Sequence, residues 1–151
     1  MEVSKMNNKE NKTILSDEGL EKVAGGVNGE VISSGSFASQ TGTSLNLLVN
    51  WSVSADGFGQ KTLHVTVSST SYSLHAAALP NTLELTVNGM TYLGTPNAVN
   101  YNGSAMATHT LASFAIPNAT GPASLSVAWH FNGVISGVPL NTIYASGVAN
   151  F

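Results

Sequence analysis

Residues 44–54, SLNLLVNWSVS, limit what this chain can fold into more than any other stretch. Leu45, Leu47, Val49, Trp51 and Val53 alternate there with Asn46, Leu48, Asn50, Ser52 and Ser54. A period of two over five apolar positions turns one face of an extended strand to a core and the other to water. After an Asp56-Gly57 turn, Leu63, Val65 and Val67 resume the alternation opposite His64 and Thr66. Leu125, Val127, Trp129 and Phe131 repeat it further on.

Turn signals divide the remaining strands. Asn88-Gly89 lies between the apolar runs 83–87 and 90–93 and supplies the two positive-φ residues of a type I′ hairpin. That register sets Val87 opposite Met90 and Leu85 opposite Tyr92, all on one face. Asn132-Gly133 marks a second hairpin, with 134–138 returning. Residues 29–37 form a weaker first strand with Val31 or Ile32 inward, and residues 108–116 put Thr110, Ala112, Phe114 and Ile116 on one side. Beyond Ser68 the apolar set changes parity to Tyr72 and Leu74, which predicts a bulge or a change of sheet over 68–71. Pro139 stops a ladder or marks an edge strand, and residues 143–151 make the last strand. Eight to ten short strands, polar on one face, with no helical pattern after residue 26, predict an antiparallel β-sandwich; a small β-barrel is the alternative.

Charge separates this body from what precedes it. Nine of the thirteen charged residues lie in residues 1–26, and residues 27–151 hold only Glu30, Asp56, Lys61 and Glu84. The body is polar without charge, since Ser, Thr and Asn make up 42 of its 125 residues. Such a surface suits an extracellular β domain and, with little mutual repulsion, eases self-association. With no arginine and one body lysine, binding to nucleic acid by phosphate neutralisation is excluded. The absence of cysteine removes disulfides and thiolate metal sites, and about 125 residues can bury a sufficient core without them. We read residues 27–151 as a single domain and expect no cofactor.

Residues 14–26, ILSDEGLEKVAGG, close the charged segment. Ser16 is suited to cap a helix, Asp17 and Glu18 place negative charge in its first turn, and Leu15 and Leu20 have the spacing of a hydrophobic staple, with Val23 one turn on. One short amphipathic helix over 17–23 follows. Helices below about 12 residues barely repay nucleation, so it should form when bound. Residues 1–11 are polar and expected to be disordered. A charged n-region followed by an apolar h-region is missing, and no apolar run approaches the roughly 20 residues of a membrane span.

This arrangement resembles the double-glycine leaders of bacteriocin precursors and other bacterial proteins exported by peptidase-containing ABC transporters. Those leaders carry apolar residues three, six and eleven positions before the second glycine, which here are Val23, Leu20 and Leu15. The resemblance covers residues 1–26. It implies that Leu15, Leu20 and Val23 dock on the transporter's cysteine-peptidase domain, that Gly25 and Gly26 form the cleavage site, and that a chain beginning at Val27 is secreted. Gly19 departs from the pattern, where a helix former is usual, and costs the bound helix up to about 1 kcal/mol.

The body carries no active-site signature. His64, His75, His109 and His130 lack a short ligand spacing, and no GxSxG elbow is present. A glycosidase pair would have to draw on Glu30, Asp56 and Glu84, which fall in a strand, a turn and a hairpin. Asp56-Gly57 lacks the neighbouring oxygen ligands of a calcium loop. Trp51 and Trp129 read as core, whereas Phe58, Tyr92 and Tyr101 are the aromatic candidates for a binding surface. The sequence therefore points to a non-enzymatic extracellular module that binds a cell-surface glycan or protein ligand, or its own copies. A bacteriocin-like antimicrobial factor is the alternative and a secreted enzyme the third reading.

Overall fold

The computed structural model describes residues 29–39, 45–71, 76–77, 82–97, 100–101, 107–135 and 137–151. These residues form ten strands: β1 (Glu30–Ala38), β2 (Leu45–Ala55), β3 (Lys61–Ser71), β4 (Ala76–Ala77), β5 (Thr82–Val87), β6 (Met90–Gly94), β7 (Asn100–Tyr101), β8 (Ala107–Ile116), β9 (Ala123–Ile135) and β10 (Val138–Ala149). All pairings are antiparallel. Sheet one has the order β1-β2-β3-β8. In sheet two β9 is central: β5 and its hairpin partner β6 lie on one side and β10 on the other, while β4, which carries β7, pairs with the end of β9.

The two sheets enclose one core, as the alternation requires. Leu45, Leu47, Val49, Trp51 and Val53 of β2 and Leu63, Val65 and Val67 of β3 face Leu125, Val127, Trp129 and Phe131 of β9, all buried. Trp129 and Phe131 meet edge to face, their centroids 4.9 Å apart, which adds to the burial. No buried side-chain nitrogen or oxygen among the described residues lacks a partner. The architecture is thus an antiparallel β-sandwich.

Several local features agree with the sequence and several differ. Asn88 and Gly89 take φ of 48° and 85°, and Val87 pairs with Met90 and Leu85 with Tyr92. Pro139 lies in β10, an edge strand. Asn132-Gly133, by contrast, is no hairpin: β9 runs through it to Ile135 and turns at Gly137 (φ 83°). Asn132 spends its positive φ (45°) on a bulge, where the β9–β10 register shifts between Leu140 and Thr142.

In β1 neither Val31 nor Ile32 points inward; they are 60% and 48% exposed. The ladder slips between Val31 and Ser33, which brings Ser33, Gly35 and Phe37 opposite the core residues Val53, Trp51 and Val49. The reason is steric, because a Cβ at Gly35 would stand 2.6 Å from Cζ2 of Trp51, so only glycine fits beneath the indole.

The irregularity near Ser68 lies on the other strand. The β2–β3 register is unbroken to Ser71, but β8 carries one extra residue, Leu111, between the partners of Val67 and Ser68. The bulge buries Leu111 and leaves Thr110 exposed, contrary to a simple alternation. The change of sheet follows Ser71, since β3 belongs to sheet one and β4 to sheet two. Tyr72 and Leu74 lie outside the described residues.

Candidate functional site

The leader residues Leu15, Leu20, Val23, Gly25 and Gly26 lie outside the described residues, as does His75. The other histidines are dispersed. His64 is on the outer face of sheet one, its Nε2 3.2 Å from Ser54 Oγ. His109 lies in the edge strand β8, and His130 is on the outer face of sheet two. Among the described residues no three His, Cys, Asp or Glu side chains gather as metal ligands.

The acids separate in the same way. Glu30 and Lys61 both pair with Ala55, next to Asp56, so three of the body's four charges share one end of sheet one. Asp56 Oδ1 accepts the N–H groups of Phe58 (2.8 Å) and Gln60 (2.9 Å) and so shapes its own turn. Lys61 holds its ammonium 5.7 Å from the Phe151 ring centroid. Glu84 is left as the only formal charge in sheet two.

Glu84 belongs to a polar network across three strands. His130 Nε2 lies 3.4 Å from Glu84 Oε2, and His130 Nδ1 lies 3.1 Å from Thr142 Oγ1. Hydroxyl, imidazole and carboxylate thus stand in the order used by nucleophilic hydrolases. The His130 and Glu84 side chains are 33% and 42% exposed on an open face.

Of the aromatic candidates, Phe58 is 94% exposed at the tip of the β2–β3 turn. Tyr92 is half-buried and donates its hydroxyl to Met90 Sδ at 3.2 Å. It lines a cleft of about 270 Å³ with Val87, Ile116 and Pro117, at the end of the sandwich. The side chain of Tyr101 is outside the described set. The residue not singled out in the sequence is Tyr144, 65% exposed on β10. Its signal was present: it stands between Ile143 and Ala145, both buried, so the period of two turns it outward.

Tyr144 stands in the middle of a polar stretch of the outer face of sheet two. The register carries a row across sheet two from Glu84 through Ala128 to Tyr144, flanked by His130 and Thr142 on one side and by Ser126 and Ser146 on the other. Beside the ring runs an open trough of about 480 Å³, lined among the described residues by Ala38, Ser39, Ser126, Ser146 and others. Ser39 fixes its rim, since its Oγ accepts the N–H of Leu47 at 2.8 Å and its own N–H donates to Leu47 O at 3.0 Å.

Compared with family models, curated proteins and solved structures, the chain matches none. No helix among the described residues is long and apolar enough to cross a membrane.

Proposed function

We propose that the chain is a bacterial export precursor. Its leader, residues 1–26, engages a peptidase-containing ABC transporter through Leu15, Leu20 and Val23, and cleavage after Gly26 releases the β-sandwich as an extracellular binding module. The observation that carries this reading is the apolar spacing before Gly25-Gly26, placed upstream of every described strand: β1 opens at Glu30. A cut after Gly26 therefore leaves every described strand residue in the released chain. The body's low charge and hydroxyl-rich outer faces support a solvated extracellular role in which neutral polar contacts, and not ion pairs, select the partner. Its packed core provides stability without disulfides.

The test is the intact mass and N-terminal sequence of the protein recovered from the producer's medium. A chain beginning at Val27 is expected; full-length protein confined to cells would overturn the export route. Saturable retention of the released domain on cell surfaces without growth inhibition would support the binding module. Killing of related strains would instead favour the antimicrobial alternative.

A further inference from the structure

We propose that the outer face of sheet two around Tyr144 is a binding site for a neutral saccharide, an inference that rests on reading the body as an extracellular binding module. The Tyr144 ring is 65% exposed, and its neighbour in the row is Ala128, whose small side chain leaves a gap before Glu84. Adjacent strands are about 4.8 Å apart, so the Cα atoms of Tyr144 and Glu84 are separated by about 10 Å. A six-membered sugar ring has an apolar C–H face, which packs against an aromatic ring as other apolar groups do. Its rim of hydroxyls needs hydrogen-bond partners when water is displaced. Both requirements are met in one place: Tyr144 supplies the ring, Ser126 and Ser146 supply hydroxyls that donate and accept, and Glu84 supplies an acceptor-only carboxylate. His130, held by Thr142, orients that carboxylate. Along the trough beside Tyr144 there is room for the sugars that continue the chain.

Charge selects among ligands. Glu84 is the only formal charge of sheet two, and Lys61, the body's only basic residue apart from histidine, is at one end of sheet one. An anionic polymer would thus meet a carboxylate and no lysine or arginine at this face. A lipid surface requires a contiguous apolar face, whereas Tyr144 is ringed by Ser126, Ser146 and Thr142. The outer face of sheet one, with its Thr66–Ser113 hydroxyl pair (3.4 Å), is also uncharged at its centre, but no exposed aromatic side chain is described in its strands. It serves as the internal control.

The experiment is calorimetric titration of the full chain with maltohexaose, cellohexaose and chitohexaose, and with a galacturonate hexamer as the anionic comparison. At least one neutral hexasaccharide is expected to bind and the galacturonate hexamer not to. Tyr144→Ala should weaken binding about tenfold or more, Glu84→Gln should weaken it severalfold, and Thr66→Ala should leave it unchanged. Both site residues are surface-exposed, and unaltered thermal unfolding of the variants would establish that they fold. Absence of binding to every neutral hexasaccharide at millimolar concentration, or binding that Tyr144→Ala leaves intact, overturns the proposal. If the wild-type protein is still retained on cell surfaces in that case, the site falls and the binding-module reading stands. If neither sugar binding nor surface retention is found, both fall.

Discussion

The ring of Phe37 occupies the space that a side chain on Gly147 would need: a Cβ there would stand 2.5 Å from Phe37 Cδ1 and 2.7 Å from Cγ. Phe37 belongs to β1, an edge of sheet one, and Gly147 to β10, an edge of sheet two. The contact therefore closes one open side of the sandwich. The other side is closed in the same way, with Phe114 of β8 against Gly94 of β6, where a Cβ would come 3.0 Å from the ring. Large-on-small pairing lets the sheet edges approach without a gap.

Gly147→Ala should destabilise the fold by about 1–3 kcal/mol, because the half-buried Phe37 ring must shift to admit the methyl group. Urea unfolding measures it. Phe37→Leu in the same chain should recover part of the loss, giving a non-additive double-mutant cycle. Additive effects would mean that the two residues do not share the space.

Asn88 both bends a hairpin and ties it down. With φ of 48°, its N–H donates to Ser124 O at 3.0 Å, while its Oδ1 accepts the N–H of Ser124 at 2.8 Å. Glycine keeps the backbone angle and loses the side-chain bond, which costs about 1 kcal/mol. Alanine loses the bond and adds about 1 kcal/mol of left-handed strain. The expected stability order is wild type, then Asn88→Gly, then Asn88→Ala. Equal values for the two variants would remove the strain component.

Trp129 is fully buried in the central strand of sheet two. Trp129→Ala should cost about 3–5 kcal/mol, a large share of the 5–15 kcal/mol by which domains are stable. Thermal unfolding followed by far-ultraviolet circular dichroism should show a large fall in Tm or no folded state at 37 °C.

The sandwich was legible wherever a strand is core on one face and wet on the other. In β2 and in β9 up to Phe131 the apolar alternation names the buried residues directly. It was not legible where a residue type serves two geometries. Asn-Gly makes a hairpin at 88–89, yet at 132–133 the same pair makes a bulge. The difference is tertiary: β9 is paired by β10 on one side and by β4 at Val134 and Ile135 on the other, so ending it at Asn132 would forfeit the β4 pairing and the last β9–β10 pairs, from Gly133 to Ile135. Leu111 is inward only because β8 bulges against β3. For the proposed saccharide face, each side chain's orientation could be read from parity, but the row joining Glu84, Ala128 and Tyr144 depends on which strands become neighbours. Sequence separation hides that relationship.

On the proposed export route, Leu20→Ala and Val23→Ala act at the transporter and not on the sandwich. Fully burying a leucine or valine side chain is worth roughly 1.5–3 kcal/mol, and each 1.4 kcal/mol is about tenfold in affinity. Truncating both residues should therefore slow cleavage after Gly26 by about a hundredfold or more, and uncleaved precursor should accumulate in the cells. Unfolding of the β-sandwich should be unchanged, since both positions precede Glu30, where the first described strand begins. The two readouts, precursor mass by time course and the unfolding midpoint of the purified chain, separate a docking role from a structural one. Cleavage at the wild-type rate would sink the docking assignment. A lowered midpoint would place these residues in the fold and remove them from the leader.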